Sequence, residues 1–276
     1  MMVIPKISII MSVKNGAKDL AKSIGSIQKQ TFKEWEFIIC DDGSTDDTLA
    51  RLNEYAAKDE RFVILHHDQS TGLAQALNDC IAASHCDILA RQDADDYSHP
   101  NRLEQQYQFV IEHPEYAIVG TGYYTVDENC KVLKENFPKE LPSALDQVKV
   151  GLFMHPSWMM RKEKLAQVGF YTANKYTMRS QDYHLVMKIL GAGMKLYNMQ
   201  ELLYYYTADS GTIKRSLNWN RVPGLVWIRW DAYKRNHLPL WCYAYVLKPL
   251  ISNLIPRGIM KRHYQKVYGN TSSSGK

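Results

Sequence analysis

The first hundred residues alternate between short apolar runs and stretches whose apolar positions recur at helical spacing. Ile7, Ile9 and Ile10 make Lys6–Met11 an apolar run that gives way to the turn dipeptide Asn15-Gly16, which predicts a strand and a turn. Leu20, Ile24 and Ile27 follow at i, i+4 and i+7, the spacing of one helix face. The order then repeats. Trp35–Cys40 predicts a strand, Asp46–Lys58 a helix carried by Leu49, Leu52 and Tyr55, and Phe62–His66 a strand. Gly72–Ala83 predicts a helix with Leu73, Ala76, Leu77 and Cys80 on one stripe, and Asp87–Ala90 a brief fourth strand. Strands alternating with helices imply an α/β fold, a parallel sheet with right-handed connections and helices on both faces. Beyond Pro100 a helix with Leu103, Tyr107, Val110 and Ile111 leads to strands at Tyr116–Thr125 and Lys131–Glu135, and a helix over Gln181–Leu190 stops at Gly191, as a glycine stop should.

Ligands of such sheets sit beyond the carboxyl ends of the strands, and here those ends are acidic. The second strand runs into Asp41, Asp42, Gly43 and Ser44, and the fourth into Asp93, Asp95 and Asp96. Three carboxylates at one strand end repel one another unless a cation neutralises them or the turn is merely solvated. A hard divalent ion with few protein ligands and open positions suits oxygen donors and a diphosphate. Asp42 can accept hydrogen bonds from a nucleobase or ribose, and Asp46 can cap the helix that follows.

Ile7–Asn15, Ile38–Asp46 and Ile88–Asp96, in that order and register, resemble glycosyltransferase family 2, and the resemblance runs from about residue 6 to about residue 215. Gly72 and Asn78 occupy the family's Gly and Asn between the acidic motifs. Pro100–Leu103 resembles the start of its next helix, and His155, Ser157 and Arg161 resemble its acceptor-side strand. The resemblance implies a GT-A fold, a nucleoside diphosphate sugar donor, Mn2+ or Mg2+, and inversion at the anomeric carbon. It places Asp42 at the base, Asp93 at the ribose and Asp95 on the metal. Ser12, Lys14, Asn15, Gly72 and Asn78 fall on the donor side, His155, Ser157 and Gln181 on the acceptor side, and Asp182 becomes the general base. Lys214 and Arg215 stand where members bring a cation to the diphosphate, or else simply begin the basic tail. Ser12 replaces a common Pro, Lys14 a common Tyr and Gln181 a common Glu. If Asp182 opens a helix, the helix dipole favours its ionised form.

Charge along the chain divides it further. Lys214–Lys276 carries twelve Lys or Arg against the single Asp231, whereas the whole chain is only +5. Residues 1–213 therefore read as the catalytic domain, nucleotide-binding to about 100 and acceptor-binding beyond, and 214–276 as a basic helical extension. Trp219, Val226, Trp230 and Tyr233 fall on one predicted stripe beside Arg221, Arg229, Lys234 and Arg235. Rings beside cations suit an anionic membrane surface; packing on the catalytic domain or a homodimer contact are the alternatives. No nucleic-acid motif accompanies the tail.

Five cysteines without a C-x-x-C pair argue against a disulfide framework or a thiolate zinc site. The apolar N-terminus, broken by Lys6 and Lys14, reads as a strand rather than a leader, and Leu238–Pro256 is a poor membrane span. The expected location is cytoplasmic, peripheral on the inner face of the plasma membrane. Val226 stands where a processive synthase needs the Gln of Gln-x-x-Arg-Trp, which favours single addition. The expected reaction moves one hexose from UDP-glucose or UDP-galactose to an undecaprenyl-diphosphate-linked sugar, for a bacterial capsule or O-antigen. The rivals are a non-catalytic sugar-nucleotide-binding scaffold, which Asp182 disfavours, and a sugar nucleotidyltransferase, which needs a Gly-rich, basic phosphate loop that Ser12–Gly16 does not supply.

Overall fold

The computed structural model describes residues 4–149, 154–178, 180–208 and 219–254. Its strands β1 (Ile7–Val13), β2 (Trp35–Asp42), β3 (Phe62–His67) and β4 (Ile88–Arg91) alternate with α1 (Leu20–Gln28), α2 (Thr48–Lys58) and α3 (Leu73–Ala83). All four strands pair in parallel, in the order β3-β2-β1-β4. That is the alternation read from the sequence.

The pleat of β1 and β2 sorts the core into two layers, because successive side chains point to opposite faces. Ile7, Ile9, Met11, Phe37 and Ile39 pack with Leu20, Ile24 and Ile27 of α1, Leu52 of α2, and Leu103. Ile10, Ile38 and Cys40 pack on the other face with Ala76, Leu77, Cys80 and Ile81 of α3. Strands buried on both faces read as continuous apolar runs rather than as alternation, which is why β1 and β2 were visible as runs.

After β4 the sheet changes character. A two-residue strand, β5 (Tyr97–Ser98), and α4 (Arg102–Glu112) precede β6 (Tyr116–Val126) and β7 (Val132–Asn136). Then come α5 (Ala144–Lys149), β8 (Met159–Arg161), α6 (Lys162–Gln167), α7 (Gln181–Gly191) and β9 (Lys195–Thr207). Strand β8 lies antiparallel between β4 and β6, and β9 runs parallel to β6 and antiparallel to β5. His155–Ser157, read as part of the acceptor-side strand, is instead a 3-10 turn leading into β8. The thirteen-residue β9 has no counterpart in the sequence reading. Its tyrosine-rich end, Tyr204–Thr207, crosses the fold to meet the acidic turn.

The helix Val222–Arg235 packs against α7. It buries Gly224, Ile228, Ala232 and Tyr233, and Met187 of α7 and Val148 join Ala232, Tyr233, Cys242 and Val246 in a third apolar cluster. A Cβ on Gly224 would stand 2.5 Å from the Tyr176 carbonyl oxygen, so only glycine permits so close a seat. His184 Nε2 lies 3.1 Å from Asp231 Oδ2, and Asn236 donates to the Met187 carbonyl at 2.9 Å. The predicted stripe is corrected accordingly. Tyr233 turns inward, Trp230 is exposed, and Trp219 belongs to a 3-10 turn before the helix.

Candidate active site

The acidic turn after β4 is held from several directions. Gln92 is fully buried and donates to the carbonyls of Asp93 and Asp96, while Arg102 reaches Gln92 Oε1 at 3.1 Å and the Arg91 carbonyl at 2.8 Å. The Thr207 N–H donates to Asp96 Oδ1 at 2.8 Å, its hydroxyl donates to the Asp95 carbonyl at 2.7 Å, and the Asp93 N–H donates to the Tyr204 hydroxyl at 3.2 Å. The end of β9 thus stitches down a turn formed more than a hundred residues earlier.

Within that turn Asp93, Asp95 and Asp96 each bring an oxygen to within 4.8 Å of the others. Burial, then the charge of Asp93, pushes the Asp95 carboxyl up to about 6, although its outer face remains open to solvent. Asp96 is raised well above the usual carboxylate range by burial, then by Asp95 and Asp93, and its Oδ2 is buried without a hydrogen-bond partner. Uncompensated negative charge of this kind is what a hard divalent cation relieves. The donor set fits Mg2+ or Mn2+.

Two cavities meet at this turn. One, of about 490 Å³, is lined by Ser12, Lys14 and Asn15 from the end of β1, Lys18 and Lys22, and Asp93, Asp95, Glu128 and Thr207. The other, of about 440 Å³, is lined by Asp93, His155 and Asp182 together with Tyr123, Lys134, Phe137, Met154 and Tyr206. Asp93 belongs to both. Residues that lie 170 positions apart in the chain, Ser12 and Asp182, therefore line cavities that share Asp93.

Asp182 sits in the first turn of α7, as the sequence predicts. Burial raises its carboxyl above the usual value, and the Tyr183 N–H and the Arg91 charge only partly offset that rise. Desolvation thus outweighs the groups around it that favour the ionised form. His155 is buried, and burial and the Arg91 charge hold its ring neutral. Its Nε2 lies 2.8 Å from the Tyr171 hydroxyl.

Several predicted residues line neither cavity. Asp42 is buried, and its carboxylate accepts from Ser70 Oγ at 2.7 Å, the Thr71 N–H at 2.7 Å and the Gly72 N–H at 3.0 Å, with His67 Nδ1 at 2.9 Å. Burial alone would raise it, but these bonds outweigh burial and hold it well below the ordinary value. In this arrangement Asp42 clamps the loop between β3 and α3, and Gly72, at φ +92, supplies one of the donors. Asn78 exchanges two hydrogen bonds with the Tyr171 backbone, and the fully buried Ser157 donates to the Met154 carbonyl and accepts from the Thr121 N–H. Both serve as braces here. Gln181 is buried at the start of α7, and Lys214 and Arg215 lie outside the described residues. Asp46 does accept from the Thr48 N–H at the start of α2.

The comparisons agree with this geometry. A family profile described as Glycosyl transferase family 2 matches residues 8–169. EpsE of Bacillus subtilis, named as a glycosyltransferase, is 36% identical over 95% of this chain and 94% of its own length. The chain belongs to glycosyl transferase family 2. The O-antigen biosynthesis glycosyltransferase WbnJ of Escherichia coli is 30% identical to this transferase over 78% of the chain and 84% of its own length. Among solved structures, S. aureus TarS 1-349 in complex with UDP-GlcNAc superposes with a TM-score of 0.69 at 18% identity, over 97% of this chain and 76% of that one. The mannosyltransferase PcManGT from Pyrobaculum calidifontis, in complex with GDP-Man and Mn2+, gives 0.65 at 14% identity over 96% and 80%. The transferase has their GT-A architecture with a helical C-terminal region.

Lys18, Lys22, Tyr123, Lys134, Phe137 and Tyr206 line the crevice without having been singled out in the sequence. Lys18 and Lys22 could have been found as basic residues near the start of the first helix. Tyr206 could not, because its strand was not recognised.

Proposed function

We propose that this transferase is an inverting, metal-dependent enzyme moving a single hexose from a UDP-sugar, UDP-glucose or UDP-galactose, to an undecaprenyl-diphosphate-linked sugar in capsule or O-antigen assembly. The observation that carries the proposal is the position of Asp93 in both cavities, with Asp95 on one side and Asp182 on the other. The cavity bordered by Ser12, Lys14, Asn15, Lys18 and Lys22 offers cations and polar groups to a nucleoside diphosphate. Asp95, beside Asp93 and Asp96, would hold the metal, which as a Lewis acid stabilises charge on the departing diphosphate. Asp182 accepts the proton of the acceptor hydroxyl, a task favoured by a carboxyl whose pKa is raised towards neutrality. Tyr123, Phe137 and Tyr206 give the second cavity the apolar faces that sugar rings stack on. A screen of nucleotide sugars with Mn2+, read as release of the free nucleotide, should show UDP release from one UDP-hexose above all others. Release of GDP alone would overturn the donor assignment.

The division at residue 213 and the peripheral membrane location belong to the same proposal. No helix among the described residues is long and apolar enough to cross a membrane. Trp230, Leu240, Leu247 and Ile251 are exposed large apolar residues, near Arg229 and Lys234, in a region whose charge is strongly positive. Each cation near an anionic bilayer adds about 1 kcal/mol. The full-length transferase should therefore sediment with anionic liposomes at low salt and be released at high salt. Protein left in the supernatant at low salt would exclude membrane docking and leave self-association or packing as the purpose of this surface.

A further inference from the structure

The cavity bordered by Ser12 and Asn15 sets the carboxylates Asp19, Asp93, Asp95 and Glu128 against the lysines Lys14, Lys18 and Lys22. A diphosphate entering it is repelled unless its oxygens reach a cation held at a defined place. The lysines differ in how they are held. Lys14 is exposed, and the Lys18 side chain is 86% exposed, its ammonium 3.8 Å from its chain neighbour Asp19. Lys22, in the first turn of α1, is half-buried. Its Nζ donates to the Thr207 hydroxyl at 3.1 Å and lies 5.1 Å from the centre of the Tyr97 ring, which is stacked on Tyr205 at 4.4 Å. A ring face attracts a cation, and a stem already ordered by folding loses little freedom when it binds. An ammonium has three N–H donors. Thr207 takes one of them, which leaves two for the cavity that Lys22 lines. Helix stability does not explain this seat, since the first turn of a helix disfavours cations.

We propose that Lys22 is a metal-independent ligand of the donor's diphosphate: its ammonium, seated by Thr207 and Tyr97, donates to a phosphate oxygen whether or not a cation occupies the acidic turn. This rests on the reading of that cavity as the donor site. Thr207 also ties the lysine to the turn, because its hydroxyl donates to the Asp95 carbonyl at 2.7 Å and its N–H to Asp96 Oδ1 at 2.8 Å. Lys22 and the carboxylates that would hold the metal therefore share one frame. The diphosphate is gripped by two positive charges at a fixed separation, and a misplaced phosphate satisfies only one of them.

Calorimetric titrations of the full-length protein, in EDTA and again in Mn2+, use whichever of UDP, GDP, CDP and ADP the parent binds most tightly. Lys22→Met, which keeps an unbranched stem and loses the charge, should weaken binding by ~10- to 100-fold in both conditions, the worth of one charge-assisted hydrogen bond. The matching nucleoside, followed by NMR, should bind the variant as it binds the parent, which also shows that the variant is folded. Lys18→Met should lose less than Lys22→Met, because its ammonium is not seated in advance. Equal affinity of Lys22→Met and parent in EDTA overturns the proposal. So does a loss confined to Mn2+, which would make Lys22 a brace of the acidic turn rather than a ligand, and so does a loss in Lys18→Met as large as in Lys22→Met. Lys22→Gln, neutral but polar, is read in the same way if Lys22→Met does not fold. A parent that prefers GDP overturns the UDP assignment and leaves the Lys22 measurement intact; a parent that binds none of the four overturns both.

Discussion

Asp182→Asn lowers the transfer rate ~10²- to 10⁴-fold while UDP binds as in the parent, because a positioned general base contributes about that factor and is lost alone. The substitution keeps the shape of the side chain and removes only its capacity to take a proton. UDP affinity by calorimetry and turnover with the donor found by the screen separate the two effects. Undiminished turnover would reassign the base. The parent enzyme should also show an acid limb in its pH profile. Burial raises the Asp182 carboxyl, so the protonated, inactive form persists to a higher pH than for an ordinary aspartate, and the rate climbs as pH rises through that value. In Asp182→Asn the limb disappears with the activity.

Asp95→Ala weakens Mn2+-dependent UDP binding by at least ~10- to 100-fold, the loss seen when even an outer partner of a metal ligand is removed. Binding in the absence of metal should hardly change, since Asp95 by itself repels a diphosphate. Titrations of UDP with and without Mn2+ read the difference directly, and identical curves for parent and variant would remove Asp95 from the metal site. Proton competition gives an independent check on the parent protein. The Asp95 carboxyl lies at about 6 without metal, and a protonated carboxyl is no ligand. Mn2+ affinity should therefore fall ~10-fold per pH unit below that point and level off above it.

Asp42 and Asp182 show how far local reading reaches. Both were placed by motif, and both sit where the motif puts them along the chain. Asp182 faces the crevice, because the first turn of α7 opens onto it. Asp42 is turned to the loop between β3 and α3, where Ser70, Thr71 and Gly72 supply donors that the motif does not name. Ser157 and Asn78 are likewise held by backbone groups: buried ones need partners, and these side chains supply them.

The alternation of β1 to β4 with α1 to α3, the acidic strand ends and the family itself were determined by the sequence, because hydrophobic period and turn residues act over a few positions at a time. The tertiary structure decided that β9 crosses the sheet to pin the acidic turn, that Arg91 is buried with one arm on Asp93, and that the helix Val222–Arg235 seats Tyr233 rather than Trp230 against α7. These depend on contacts between residues tens to more than a hundred positions apart, and no periodicity in the chain encodes which distant surfaces will exclude water together.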